Sequence, residues 1–183
     1  MASDALRKPW VVAVLGFLVV FLGAVLIFVV VRYTRKPASV SQGTQTSVSS
    51  VSDNKLAARD GKTEQLTLVS QQANTPFTVE IASTEASRQR GLSGRDGLAP
   101  NSGMLFMFGE AGYDCFWMKD MKFDIDMLWF DEYQNLVHIQ EDASKSTYPN
   151  NFCPQTPASY VLEVPAGTAK QLGLQPGDRF TTP

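Results

Sequence analysis

Trp10 to Val31 reads WVVAVLGFLVVFLGAVLIFVVV, 22 consecutive residues without a charged side chain. No other feature of the chain restricts its folding so strongly. A helix of that length rises about 33 Å, enough to cross a hydrocarbon core of about 30 Å. Trp10 and Tyr33 stand at its two ends, where amphipathic rings favour the headgroup layer. A cleaved signal peptide shares the short basic start, but its apolar core is shorter. Arg32, Tyr33, Thr34 and Arg35 also stand where small cleavage-site residues belong. A helix in a soluble core is the weaker reading. The run predicts an uncleaved single-pass transmembrane helix at 10–31, preceded by a flank at 1–9.

Charge divides the rest. Residues 1–63 carry eight basic side chains against three acidic ones, whereas residues 64–183 carry eight against fifteen. An acidic domain on a basic anchor argues against nucleic acid as a partner. The positive-inside count, with Arg7 and Lys8 before the span and Arg32, Arg35 and Lys36 after it, favours a cytoplasmic C-terminal domain by one charge. The Ser/Thr/Gln-rich composition of residues 32–62 and the two later cysteines favour the opposite side. The expectation is a domain outside the cytoplasm on a flexible linker that lacks the apolar surface to offset chain entropy.

From residue 63 the pattern changes to short strands with turn punctuation. Gln65–Ser70 and Phe77–Ala82 alternate with period two and read as a hairpin. Thr84–Gly91 has an N-cap candidate and a terminating glycine, so it reads as a short helix. Gly103–Phe108, Tyr113–Met118, Asp126–Phe130, Leu136–Glu141 and Tyr160–Val164 read as strands. A helix near Gly167–Leu172 and a strand after Gln175-Pro176-Gly177-Asp178 complete the chain. The expected fold of residues 63–183 is mainly β, a compact sandwich or barrel-like domain with two short helices.

One ordered set of residues is similar to the domain of unknown function 192 family. It runs from Val79-Glu80-Ile81-Ala82 through Arg90-Gly91-Leu92, Arg95 and Gly103-Met104-Leu105-Phe106 to Cys115-Phe116-Trp117-Met118-Lys119. Asp126, Cys153, Tyr160-Val161-Leu162-Glu163 and Gly177-Asp178 follow in the same order. The chain departs from the family's usual Lys-Asn-Thr by Asp120 and Met121, and from Pro-Leu-Asp by Asp124-Ile125-Asp126. The resemblance implies a mainly-β sandwich and an N-terminal export signal or anchor. It implies no particular activity.

Four groups of residues carry candidate chemistry. Cys115 and Cys153 lie 38 positions apart, which fits a structural disulfide better than a Cys-x-x-Cys redox pair, with two free thiols as the other reading. His138 is the single histidine and sits inside a strand. Six carboxylates crowd residues 114–132, and Asp124 with Asp126 would share a strand face able to hold a hard cation. The plainer reading pairs them with Arg90, Arg95, Lys119 or Arg179, or has them fix turns. Asp126 with Glu163 would suit acid–base work on a glycosidic bond at the right separation. Five methionines between 104 and 127 read as core packing more readily than as a soft-metal site with Cys115. Trp117 with Arg90 and Arg95 would line a groove for a sugar or a carboxylated or phosphorylated small molecule, with Trp117 as a core anchor the equal alternative.

The sequence thus points to a membrane-anchored envelope domain that binds a small molecule, glycan or envelope partner near Arg90, Arg95, Trp117, Lys119, Asp126 and Glu163. No cofactor or metal is expected. A carboxylate hydrolase and a pure protein-interaction module are the alternatives.

Overall fold

The computed structural model describes residues 53–183, so the apolar run at 10–31 and most of the expected linker lie outside the described residues. Among the described residues no helix is long and apolar enough to cross a membrane. The described residues begin ten positions before the expected domain boundary. Residues 53–57 are helical, and Leu56 packs against the core. The Leu56 carbonyl accepts a hydrogen bond from Ser83 Oγ at 2.7 Å, and Gly61 N–H donates to the Ile81 carbonyl at 2.8 Å. One leucine and these backbone bonds recruit a segment whose composition alone looks like tether.

The expected first hairpin forms from β1 (Thr63–Val69) and β2 (Asn74–Ala82), paired antiparallel with Val69 opposite Asn74. Helix α1 (Glu85–Arg90) follows. Thr84 caps it through a capping box with Ser87, and Gly91 ends it at φ 49°. The chain then enters β3 (Ser102–Gly112), which lies parallel to β2, so α1 serves as the crossover. The segment expected as a strand at Tyr113–Met118 supplies only β4 (Phe116–Trp117), because it leaves the main sheet. It pairs instead with β7 (Asn151–Phe152) in a separate two-stranded ribbon.

Strands β5 (Ile125–Phe130) and β6 (Leu136–Ala143) form the second expected hairpin. Asp131 shapes its turn by accepting from the backbone N–H groups of Tyr133 and Asn135. Next come β8 (Ala158–Pro165), the short helix α2 (Thr168–Leu172) and β9 (Arg179–Thr181). The main sheet has seven strands in the order β6-β5-β8-β3-β2-β1-β9. Its two edges meet at one end. Asn135 bridges Arg179, Leu136 N–H donates to the Asp178 carbonyl, and Phe180 N–H donates to the Gln134 carbonyl. The result is one curled half-barrel sheet, in place of the sandwich that the sequence reading allowed. Helices α1 and α2 are the two short helices expected in residues 63–183, and the described residues add a third at 53–57.

Alternation along the strands separates two cores. Leu66, Phe77, Ile81, Leu105, Leu128, Leu162 and Phe180 fill the concave side. Met104, Phe106, Met127, Trp129 and Val161 face the other side, together with Leu92 and Met118 from the covering segments. Each such side chain contributes about 1.5–3 kcal/mol on burial. Because both faces are covered, all six residues of β5 are buried. At Gly103 the β3 backbone passes so close to β8 that an added Cβ would overlap the Glu163 carbonyl oxygen. This close approach fixes the position of Glu163.

Candidate functional site

Register decides where the predicted acidic residues point. Met127 lies opposite Glu163 and Asp126 opposite Val164, so the two carboxyls project from opposite faces of the sheet. They form no acid–base pair. Asp126 turns to the concave side, fully buried, and accepts hydrogen bonds from three backbone N–H groups: Asp142 at 2.9 Å, Gly167 at 3.1 Å and Ala169 at 2.8 Å. Among the described residues no arginine or lysine pairs with it, contrary to the expected pairing with Arg90, Arg95 or Lys119. Asp124 does not join it in a cation site. It lies at the surface and accepts from Lys145 N–H at 2.8 Å. Among the described residues no cluster of His, Cys, Asp and Glu is arranged to hold a metal ion.

Glu163 is different. It is only 5% exposed and receives no hydrogen bond from any described residue. Its oxygens are not sealed beneath protein but open on a cavity of about 260 Å³. Burial pushes this carboxyl up to about 8, while the positive field of Arg95 works the other way. At neutral pH it is therefore a protonated acid with an unused donor. The mouth of the cavity carries Arg90 and Gly91 at the end of α1, and its walls carry Phe106 and Phe108 of β3 and Phe116 and Trp117 of β4. The rings interlock, with Phe116 edge-on to Phe106 at 4.8 Å and to Trp129 at 5.9 Å.

Two arginines beside this cavity are already engaged. Arg95 donates to Glu80 at 2.8 Å. Arg88 donates to the carbonyls of Ser83 at 2.6 Å and Met107 at 3.1 Å, and its guanidinium lies 5.0 Å from the centre of the Phe108 ring. Arg90 is exposed at the rim.

Of the six residues predicted for binding, Arg90, Trp117 and Glu163 line one cavity. Arg95 acts on it only through its charge. Lys119 is exposed and contributes its backbone carbonyl to Ser93 Oγ, and Asp126 lies on the far face. Cys115 and Cys153 are joined in a disulfide, which removes Cys115 from any soft-metal set and ties β4 to β7 beside the cavity. Met104, Met107, Met118 and Met127 are core residues, whereas Met121 lines the cavity. His138 packs beside Trp129 at 5.1 Å, and burial lowers its pKa. The sequence reading missed Phe106, Phe108, Phe116, Arg88 and Gly91. Their signal was present in Arg90-Gly91-Leu92 and Cys115-Phe116-Trp117, where glycine and aromatic residues flank the chosen side chains.

A curled mainly-β sheet, covered on its convex side by a short helix and a disulfide-tied ribbon around one buried acid, defines the structural class. The chain belongs to the DUF192 family, described as "Uncharacterized ACR", whose model matches residues 67–182. Two crystal structures share the fold. One, from Sinorhizobium meliloti 1021, is provisionally described as a transcription regulator. It is 35% identical with a TM-score of 0.64, over 67% of this chain and 95% of that one. The other, a protein of unknown function from Novosphingobium aromaticivorans DSM 12444, is 25% identical with a TM-score of 0.62, over 65% and 84%. No curated protein shows a significant match.

Proposed function

We propose that the protein is a single-pass, membrane-anchored protein of the cell envelope whose β domain binds a small molecule in the cavity beside α1. The observation that carries this reading is Glu163, a buried acid with no hydrogen-bond partner among the described residues that opens on an aromatic cavity. A group of that kind is costly to maintain for stability alone. A volume of about 260 Å³ lies just below the usual range of ligand cavities, which favours a small metabolite over a glycan chain or a folded partner. Anchoring rests on the apolar run at 10–31, and placement outside the cytoplasm on the polar linker and the disulfide.

The hydrolase alternative loses its support, since Asp126 and Glu163 cannot act on one bond from opposite faces. The role described for the Sinorhizobium protein is not carried over, because eight basic against fifteen acidic side chains in residues 64–183 repel a phosphate backbone.

A thermal-shift screen of the full chain in detergent, using metabolite-sized compounds, tests the binding reading. Supporting compounds raise the melting temperature of the native chain and leave Met121→Trp, which fills the cavity, unchanged. A broad panel that shifts neither protein refutes it. For the topology, a reporter fused after residue 183 that is active only in the cytoplasm would refute the envelope placement.

A further inference from the structure

We propose that the ligand is an organic cation, an ammonium group on a small apolar frame, with the Glu163 carboxylate as its counter-ion and the rings of Phe106, Phe116 and Trp117 as its walls. The inference rests on the small-molecule reading and names the chemistry of that ligand. Glu163 is the one polar side chain of the cavity that is both buried and without a hydrogen bond among the described residues. Two of the arginines beside the cavity are committed elsewhere, Arg95 to Glu80 and Arg88 to two carbonyls and the Phe108 ring, while Arg90 stays exposed at the rim. The lining also carries Glu85 and Asp114, which balance Arg88 and Arg90 in charge while Glu163 holds its proton. A cation gains both the ring faces and a desolvated carboxylate, two interactions that strengthen as water leaves.

The proton balance follows from the same geometry. In the empty cavity Glu163 keeps its proton to about pH 8. A bound ammonium group favours the carboxylate, so the proton leaves to the buffer and one ion pair forms. The charged groups that share the cavity with this carboxyl are Arg88, Arg90 and Glu85 of α1 and Asp114, and Arg95, paired with Glu80 of β2, acts on it through its charge. His138 packs on Trp129 and does not line the cavity. Affinity for a cation should therefore rise with pH up to about 8 through Glu163.

Calorimetry on the full chain in detergent tests this with benzyltrimethylammonium, whose charge does not titrate, beside benzyl alcohol and phenylacetate. The expected result is selective binding of the cation, strengthening about fiftyfold from pH 6 to pH 8. Close to one proton should be released per ligand at pH 6, read from two buffers of different ionisation enthalpy. Glu163→Gln, checked for an intact melting transition, should weaken cation binding more than tenfold. Tighter binding of phenylacetate or benzyl alcohol, or cation affinity that is flat or falls with pH, would overturn the proposal and leave the small-molecule reading standing. Failure of the cation to bind also overturns it. Binding of any probe that Met121→Trp leaves unchanged places that probe outside the cavity and overturns both readings.

Discussion

Glu163 and Asp126 sit on adjacent strands one register position apart, yet their carboxyls leave the sheet on opposite faces. One meets three backbone donors and the other meets none. The same functional group thus serves structure on the concave side and borders a cavity on the convex side.

Glu163 should make the protein less stable as pH rises. Below its ordinary value of 4.5, folded and unfolded chains both hold the proton. Between there and about 8 the unfolded chain releases it while the folded chain retains it, so stability falls by up to about 1.4 kcal/mol per pH unit. Above about 8 both forms are ionised and the slope ends. Glu163→Gln should flatten this profile and be more stable than the native chain by about 2–4 kcal/mol at pH 8. Urea titrations between pH 5 and 9 would show it, and a parallel loss in both proteins would refute it.

Asp126→Asn should behave in the opposite way. The amide presents an N–H toward at least one backbone donor at the start of α2, leaving that donor unsatisfied in the core. A loss of about 2–4 kcal/mol is expected, with ligand binding at the Glu163 cavity retained. A neutral effect on denaturation would show that the three N–H groups do not depend on the charge.

The domain boundary can be measured by truncation. Asp60 joins the segment at 53–62 to α1. Burial opposes its charge, but hydrogen bonds from the Ser87 hydroxyl, the Ser83 and Thr84 backbone and the Thr84 hydroxyl hold its carboxyl down to about 2. That contribution is present above pH 3.8 and is lost as pH falls through about 2. A chain starting at residue 53 should melt higher than one starting at 63. Asp60→Ala in the longer form should cost about 1–2 kcal/mol at pH 7. Equal melting temperatures for the two truncations would place the boundary back at 63.

The disulfide should support the cavity as well as the fold. Replacing Cys115 and Cys153 by serine opens a loop spanning 38 positions, for an expected loss of about 3–4 kcal/mol. Phe116 and Trp117 then lose the tie that holds their strand against β7. Reductant should bring the native chain down to the stability of the double variant, and both should lose ligand-induced stabilisation. Retention of that stabilisation in the variant would show that the ribbon holds without the bond.

The local elements were legible because their signals are local. Period-two alternation and turn residues marked the hairpins β1–β2 and β5–β6, and Thr84 with Gly91 bracketed α1. Two cysteines admit a single pairing, and the structure makes it. Alternation also fixes which residues within a strand share a face, so Asp126 falls in phase with Leu128 and Glu163 with Val161. It does not say which strand lies alongside. Only the insertion of β8 between β3 and β5, from far along the chain, set Met127 rather than Asp126 opposite Glu163. The segment at 53–57 has the same dependence, since its composition matches a tether until Leu56 finds the core. Pairing across long sequence separation, and burial against whatever that pairing brings near, are properties of the whole fold. They decided which acid is bound by backbone and which is left facing a cavity.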